Sequence, residues 1–308
     1  MPRHPEQLSR LARRLAWDEI DPAWLRRLAE MARAEDLAGE GLRVRPERPG
    51  DATSALIRPG LRGSAKVVAR HPLVPAGLGL LPIILAAFGE GARCRSLARD
   101  GAAAGAGETL AEIEGPVAAL LSAERTLLNF LQRLSGVATH TRRHAEALGD
   151  SPIRLLDTRK TTPGFRALEK YAVGQGGGWN HRLGLHDRIM AKDNHLAAEG
   201  AASGEGLADW VRRARRARPD LLVEVEVDRP DQLGPVLEAG ADVVLLDNFP
   251  EAELAACIPK VRERAWCEIS GGVTLASLPR LGKLGADFVS CGALTHGAPW
   301  ADIGLDWA

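Results

Sequence analysis

Apolar positions recur at three- and four-residue spacing over "LSRLARRLAW" (8–17) and "PAWLRRLAEMARAEDL" (22–37), which predicts helices at the start of the chain. "AGEGLRVRPERPGDA" (38–52) breaks that periodicity and reads as a loop. Short apolar or alternating runs follow between Thr53 and Gly115. Among them "SALIR", "AKVVAR" and "ETLAEIEG" predict strands of an antiparallel or mixed sheet, with "GAAAGAGE" as a flexible connection. The stretch "SAERTLLNFLQRLSGVATHTRRHAEAL" (122–148) predicts a strong helix. Leu127, Leu128, Leu131 and Leu134 form its apolar stripe and Ser122 is the expected N-cap. That start puts Arg125 in the first turn, where the helix dipole favours an acid such as Glu124 over a cation. A surface salt bridge is the plain explanation.

The second half has another rhythm. "IRLLDT", "LLVEVEV", "DVVLLDN", "WCEISGG" and "DFVSCGA" are short Leu-rich or β-branched runs that each close at or run into a polar residue or glycine. Helical stretches such as "GLADWVRRARRAR", "PDQLGPVLEAG" and "TLASLPRLGKLG" separate them. "EAGADVVLLD" and "KLGADFVSCG" rhyme as helix end, Gly-Ala-Asp turn and buried strand. Repeated β–α units imply a parallel sheet, here more a barrel than an open sheet. No G-x-G-x-x-G follows the first strand, which counts against a dinucleotide fold.

Composition narrows the class. The 308 residues carry 40 basic and 40 acidic side chains, so a general nucleic-acid or membrane-surface binder is disfavoured and any anion binding must be local. An apolar content of 45% can supply a real core. The cysteines, Cys94, Cys257, Cys267 and Cys291, lack the close spacing of a zinc or redox motif and read as reduced thiols. The first residues lack the apolar stretch of a signal peptide, and "AGLGLLPIILAAFG" (76–89) is too short and interrupted to span a bilayer. A soluble, cytoplasmic protein is expected.

Against that neutral background "TRKTTPGFR" (158–166) gathers three cations around Pro163 and Gly164, with no carboxylate. In a β/α barrel the working residues sit at the C-terminal strand ends. Here those are Arg159 and Lys160, Glu226, Asp247, Ser270–Gly271–Gly272 and Ser290 to Gly292. The glycine-bearing loops of the last two units suit a phosphate held by backbone N–H groups. Glu226 and Asp247 suit ribose hydroxyls, a hydrated Mg²⁺ or a lysine partner. Glu224 points to the same side of its strand, and Glu226 is favoured because it lies nearer the C-terminal end. Between Asp157 and His195 lie Arg159, Lys160, Arg166, Lys170, Arg182, Arg188 and Lys192 against Asp157, Glu169, Asp187 and Asp193, with His181, His186 and His195. Around one pocket these cations suit a substrate with several anionic groups. A solvated basic face is the alternative, but it leaves their setting among Gly, Pro, Thr and Asn unexplained.

"LDTRKTTPGFRALEKYAVGQGGGWNHRLGLHDRIMAKDNHL" resembles the signature block of the quinolinate phosphoribosyltransferase family. "ERTLLNFLQRLSGVAT", "VEVEV", "GADVVLLDNF", "EISGGV" and "FVSCGALTH" match it in order, so the resemblance runs from about Asp51 to the C-terminus. It implies transfer of a 5-phosphoribosyl group from phosphoribosyl pyrophosphate to the quinolinate nitrogen. The 2-carboxylate leaves as CO₂, giving nicotinate mononucleotide and pyrophosphate on the de novo route to NAD, with Mg²⁺ accompanying the donor. It also implies the α/β fold of a type II phosphoribosyltransferase, an N-terminal α/β sandwich domain plus an incomplete, TIM-like β/α barrel. A homodimer with shared sites is implied as well. Carried over, Thr158, Arg159, His181, Arg182 and Lys192 bind quinolinate, with Arg125 arriving from the partner chain. Lys160 faces the donor or the reacting centre. Glu226 and Asp247 hold the ribose and its metal, directly or through water. Ser270, Gly271, Gly272 and Gly292 cradle the 5-phosphate.

The expected domains are 1–135, with the tail 296–308 packing back on it, and a barrel over 136–295. Departures from the family pattern are the N-terminal extension, the insertion between "AEDL" and "GDATS", Gln175, Ala191 and a longer "EGAASGEGLADW" (199–210). None removes an expected catalytic group. The competing readings are a related phosphoribosyltransferase with another acceptor, such as nicotinate or a molecule of molybdenum utilisation, and a non-catalytic phosphate-ligand sensor. The first predicts a reduced dicarboxylate clamp; the second predicts loss of Lys160, Glu226 or Asp247. All of these residues are present.

Overall fold

The computed structural model describes residues 4–307. In chain order its helices are α1 (Leu8–Leu11), α2 (Pro22–Ala38), α3 (Leu81–Phe88), α4 (Val117–Ala147), α5 (Arg166–Gln175), α6 (Asp193–Ala198), α7 (Gly204–Ala217), α8 (Leu233–Glu238), α9 (Glu251–Arg262), α10 (Leu278–Leu281) and α11 (Ala293–His296). Its strands are β1 (Arg62–Ala69), β2 (Arg93–Ser96), β3 (Thr109–Pro116), β4 (Arg154–Leu156), β5 (Ile189–Ala191), β6 (Val223–Val227), β7 (Val243–Asp247), β8 (Trp266–Ser270), β9 (Phe288–Ser290) and β10 (Ile303–Trp307). Two compact units result, one of residues 15–142, 167–177 and 298–308, the other of 1–14, 143–166 and 178–297. Residues 4–14 thus belong with the parallel sheet and 167–177 with the antiparallel one, an exchange absent from the expected division at 135/136.

The first unit carries an antiparallel sheet in the order β10-β1-β3-β2. The C-terminal strand β10 returns to pair with β1. "AKVVAR" and "ETLAEIEG" form β1 and β3 as expected, whereas "SALIR" is not a strand. It begins a 3-10 turn at Ser54–Leu56 because the Asp51 carboxylate accepts from the backbone N–H of Thr53 and Ser54. That carboxylate also accepts from the hydroxyls of Ser54 and Ser122. Ser122 is therefore not an N-cap. α4 begins at Val117, and Arg125 lies about two turns inside it, exposed. The supposed conflict between Arg125 and the helix dipole disappears.

The hydrogen bonds from Ser54, Ser122 and Thr53 hold the Asp51 carboxyl down at about 2. Its folded value is depressed, so its contribution is present above the ordinary carboxylate range and lost as pH falls through about 2. Asp51→Ala is expected to cost about 0.5–2 kcal/mol, as for loss of a side-chain cap, read from urea melts at neutral pH. An unchanged midpoint would contradict this role.

The second unit carries a six-stranded parallel sheet in the order β4-β9-β8-β7-β6-β5. A parallel bridge from Leu156 to Trp179 extends it beyond β4. Only residues 180–188 separate that bridge from β5 in the chain, and no strand pairing closes the sheet there among the described residues. This is the incomplete barrel. The two Gly-Ala-Asp rhymes have a shared cause: Asp242 accepts from the backbone N–H of Val223, and Asp287 from that of Cys267. Each aspartate pins the start of a neighbouring strand.

The first predicted helix is shorter than its periodicity suggests. α1 ends at Leu11, and the backbone of Ala12 is extended. Arg13 then forms an antiparallel bridge with Asn180. Leu11 and Ala12 pack with Leu222, Val243, Trp266 and Phe288, at or near the N-terminal ends of their strands, and with Leu156 of the short strand β4. The apolar spacing of the N-terminal extension thus serves as a plug for the barrel floor. The described cysteines are all free, and no helix of the described residues is long and apolar enough to cross a membrane.

Candidate active site

Six strands end around one cavity of about 380 Å³. Its wall includes Thr158, Arg159, Lys160, His181, Arg182, Met190, Lys192, Glu226, Leu245, Asp247, Glu268, Ser270 and Ser290. A second hollow of about 490 Å³ shares Glu226 and Asp247 and adds Asp193, Asp228, Arg229 and Asn248. The two carboxylates therefore stand at the junction of a cation-rich chamber and an acid-rich one.

The cationic side is built on turns. The Thr158 hydroxyl accepts from the backbone N–H of Lys160, and Thr161 N–H donates to Arg159 O. Buried Asp157 fixes the next wall by accepting from the Asn180 side chain at 2.9 Å and from His181 N–H at 2.8 Å. Arg159 Nε is buried without a hydrogen-bond partner. Arg182 is buried, and that burial lowers its guanidinium value; Glu224 opposes the shift while Arg159 and Arg188 add to it. Two cations held close with an unsatisfied donor form a receptor for an anion.

His181 lines the cavity, yet its ring nitrogens face protein. Nδ1 accepts from Arg182 N–H at 2.7 Å, which leaves Nε2 to carry the hydrogen; Nε2 faces Glu224 Oε1 at 3.2 Å and Arg188 Nη1 at 3.3 Å, and the carboxylate is the acceptor of the two. Arg188 donates to Glu224 Oε2 at 2.8 Å and to Leu11 O at 2.8 Å. Burial alone raises the Glu224 carboxyl, but His181 and Arg188 outweigh it and hold it below the usual range. Glu224 is thus a structural anion beneath the chamber, and Glu226 is the one at its rim.

Glu226 accepts from Lys192 Nζ at 2.5 Å. Burial raises the Glu226 carboxyl; Lys192 opposes this, and Asp247 and Asp193 add to it. Asp247 ends β7, and its Oδ2 accepts from the Asn248 amide at 2.7 Å. Asn248 has φ 57, a left-handed backbone outside glycine. Gly271 has φ 89, and a Cβ there would lie 2.2 Å from Asn248 Oδ1. A Cβ at Gly292 would lie 2.8 Å from Lys160 Cδ, so this glycine makes room for the lysine stem. Lys160 is further held by its carbonyl, which accepts from Thr295 Oγ1 at 2.7 Å. At Gly272, φ 58 favours glycine although the space is open.

Not every charged residue between Asp157 and His195 joins the chamber. Arg166 donates to Thr161 Oγ1 and Leu183 O. Lys170 and Glu169 are fully buried in the antiparallel unit. His186 and His195 are exposed, and Asp187 accepts from Leu183 and Gly184 N–H. Arg125 lies in the antiparallel unit. Glu268 was missed by sequence reasoning. Its signal was available: it lies two residues before Ser270 on the same strand, hence on the same face.

Gly271→Ala is expected to push Asn248 aside, disorient Asp247 and weaken binding at this rim. For phosphoribosyl pyrophosphate, the donor that the resemblance implies, the expected reading is a KM at least about tenfold higher, from strain of roughly 1–3 kcal/mol. An unchanged KM would contradict this role.

The comparisons agree with this architecture. The family described as quinolinate phosphoribosyl transferase, N-terminal domain, matches residues 51–135, and its C-terminal domain matches 137–306. A probable nicotinate-nucleotide pyrophosphorylase (carboxylating) of Bacillus subtilis is 42% identical over 258 residues, covering 83% of this chain and 88% of that protein. A quinolinate phosphoribosyltransferase (decarboxylating) of Nicotiana glauca is 33% identical over 83% of this chain and 77% of its own length. The solved nicotinate-nucleotide pyrophosphorylase of Francisella tularensis superposes with a TM-score of 0.85 at 33% identity, covering 94% of this chain and 98% of that one. The chain belongs to the quinolinate phosphoribosyl transferase family.

Proposed function

We propose that the protein transfers the 5-phosphoribosyl group of phosphoribosyl pyrophosphate to the quinolinate nitrogen and releases CO₂, pyrophosphate and nicotinate mononucleotide for NAD synthesis. The observation that carries this reading is the single cavity with Arg159, Arg182, Lys160 and Lys192 on its wall and Glu226 and Asp247 at its rim. Both substrates are polyanions, and a fixed local cation cluster offsets their repulsion in a protein of zero net charge.

Thr158, Arg159, Arg182 and Lys192 take the two pyridine carboxylates, with His181 fixing the wall between them. Lys160 faces the donor. Glu226 and Asp247 hold the ribose and lie where positive charge develops at C1, which their carboxylates stabilise. Ser270, Gly271, Gly272 and Gly292 receive the 5-phosphate. The nitrogen attacks C1 as pyrophosphate leaves and becomes quaternary, and its positive charge then stabilises the electron pair left on C2 when CO₂ departs. No nucleophilic Ser or Cys is required, and orientation does most of the work.

Mg²⁺ fits this donor set. Glu226 is raised by burial and by Asp247 and Asp193, so this rim has an excess of carboxylates over its one lysine partner. Bound with the donor, Mg²⁺ supplies neutralisation of the departing pyrophosphate. Exposed Arg125 completes the clamp from a partner chain in a homodimer. Free thiols suit a reducing, cytoplasmic setting.

Equilibrium titration tests the clamp. Quinolinate is expected to bind at least about tenfold more tightly than nicotinate, because a second carboxylate adds charge-assisted hydrogen bonds. Equal affinities would contradict the assignment.

A further inference from the structure

Glu268 is a buried acid that the reading above leaves without a task. It lies on β8 between the floor residue Trp266 and the rim residue Ser270. Its carboxyl is fully buried, forms part of the cavity wall, and makes no close hydrogen bond at either oxygen, with the Ser290 hydroxyl at longer reach. A buried carboxylate in that state is costly, and the neutral acid is favoured.

The neighbours do not relieve it. His181 Nε2 is 3.6 Å from Glu268 Oε2, but its hydrogen is committed to Glu224 on β6. Arg188 is committed to Glu224 and Leu11 O. Burial, and then Glu224, push the Glu268 carboxyl well above the usual range; Arg188, Ser290 on β9 and Lys192 after β5 oppose this only in part. His181, Glu224 and Glu268 offer ligand atoms within 4.8 Å of one another, a spacing that also suits a metal ion. With Arg188 on Glu224 and a hydrogen on Nε2, the cluster is arranged to hold a proton instead.

We propose that Glu268 is the acid that protonates the pyridine carbon vacated by CO₂. This rests on the phosphoribosyl-transfer reading. When the C2–carboxylate bond breaks, its electron pair stays on C2, and CO₂ recombines with that carbanion unless a proton traps it. The Glu268 O–H bond then breaks, a C2–H bond forms, and the O–H electrons remain on Glu268 as carboxylate. That carboxylate regains a proton from water as product leaves, so no further reactant is needed. Other wall groups are poorer donors: arginine does not give up its proton, Lys192 is bound to Glu226, Lys160 is turned to the phosphoribosyl donor in the reading above, the His181 hydrogen is committed to Glu224, and hydroxyls are too weakly acidic.

The test is a single turnover with Mg²⁺, phosphoribosyl pyrophosphate and quinolinate, following pyrophosphate and CO₂ separately. In Glu268→Gln, pyrophosphate release stays within a few-fold of wild type while CO₂ release falls about 10²–10⁴-fold, and Glu268→Asp recovers part of it. CO₂ release that keeps pace at the wild-type rate in Glu268→Gln overturns the proposal alone. Absence of both products in wild type overturns the reaction reading and the proposal with it. A measurement on unaltered protein guards against misfolding. Protein and quinolinate equilibrated in D₂O are diluted into H₂O with the donor. Deuterium at C2 above the bulk fraction in the first turnover supports the proposal, and deuterium equal to bulk together with unchanged CO₂ release in Glu268→Gln overturns it.

Discussion

Arg159→Ala is expected to remove nearly all turnover from a protein that remains folded, with kcat/KM down roughly 10²–10³-fold, the scale set by losing one preorganised charge-stabilising donor. Arg159 Nε is buried without a partner, so the side chain has little structural task to lose. Its turn is held by backbone and Thr158 hydrogen bonds that survive truncation. Lys192→Ala is expected to fall as far, by two routes: one clamp cation is lost, and Glu226 loses the partner that opposes its raised carboxyl value. Circular dichroism confirms folding and steady-state kinetics read the loss. Near-normal rates in both variants would refute the site.

Arg188→Met is expected to be the most destabilising single change, at about 3–5 kcal/mol, because it strands a buried carboxylate. Arg188 joins Glu224 to the backbone of Leu11, and Leu11 belongs to the apolar plug of the floor. Replacing Arg188 and Glu224 together by methionine should recover much of the loss. Urea melts of the three variants check this, and a double variant as weak as the single one would contradict it. The pH dependence has a worked sign. Glu224 has a depressed folded value, so its stabilisation is present above the ordinary carboxylate range and lost as pH falls through the lowered value. Glu268 has a raised value, so stability declines as pH rises from the ordinary range through the raised one. Glu268→Gln should remove that decline.

The legible parts of the sequence were those governed by local pattern. The parallel strands announced themselves through short apolar runs ending in Asp247, Ser270 and Ser290. The rim residues followed, because a β/α barrel presents its strand ends on one side. Tertiary demands hid the rest. Residues 8–17 have helical spacing, but Leu11 and Ala12 are used by the barrel floor and the helix stops there. Ser122 has the chemistry of a cap, but its hydroxyl serves Asp51 far away in sequence. "SALIR" has strand residues, and one upstream aspartate curls it into a turn. Charge counting between Asp157 and His195 overstated the chamber, since Arg166, Lys170 and Arg188 are spent elsewhere. The N-terminal extension and Arg188 meet only in the fold, so neither could be assigned from spacing.

The most direct test offers the purified protein Mg²⁺ and phosphoribosyl pyrophosphate with either quinolinate or nicotinate, and follows mononucleotide and CO₂. Nicotinate mononucleotide and CO₂ are expected in equal amounts from quinolinate, and nothing from nicotinate. Product from nicotinate alone, or from neither acid, would contradict the proposed reaction.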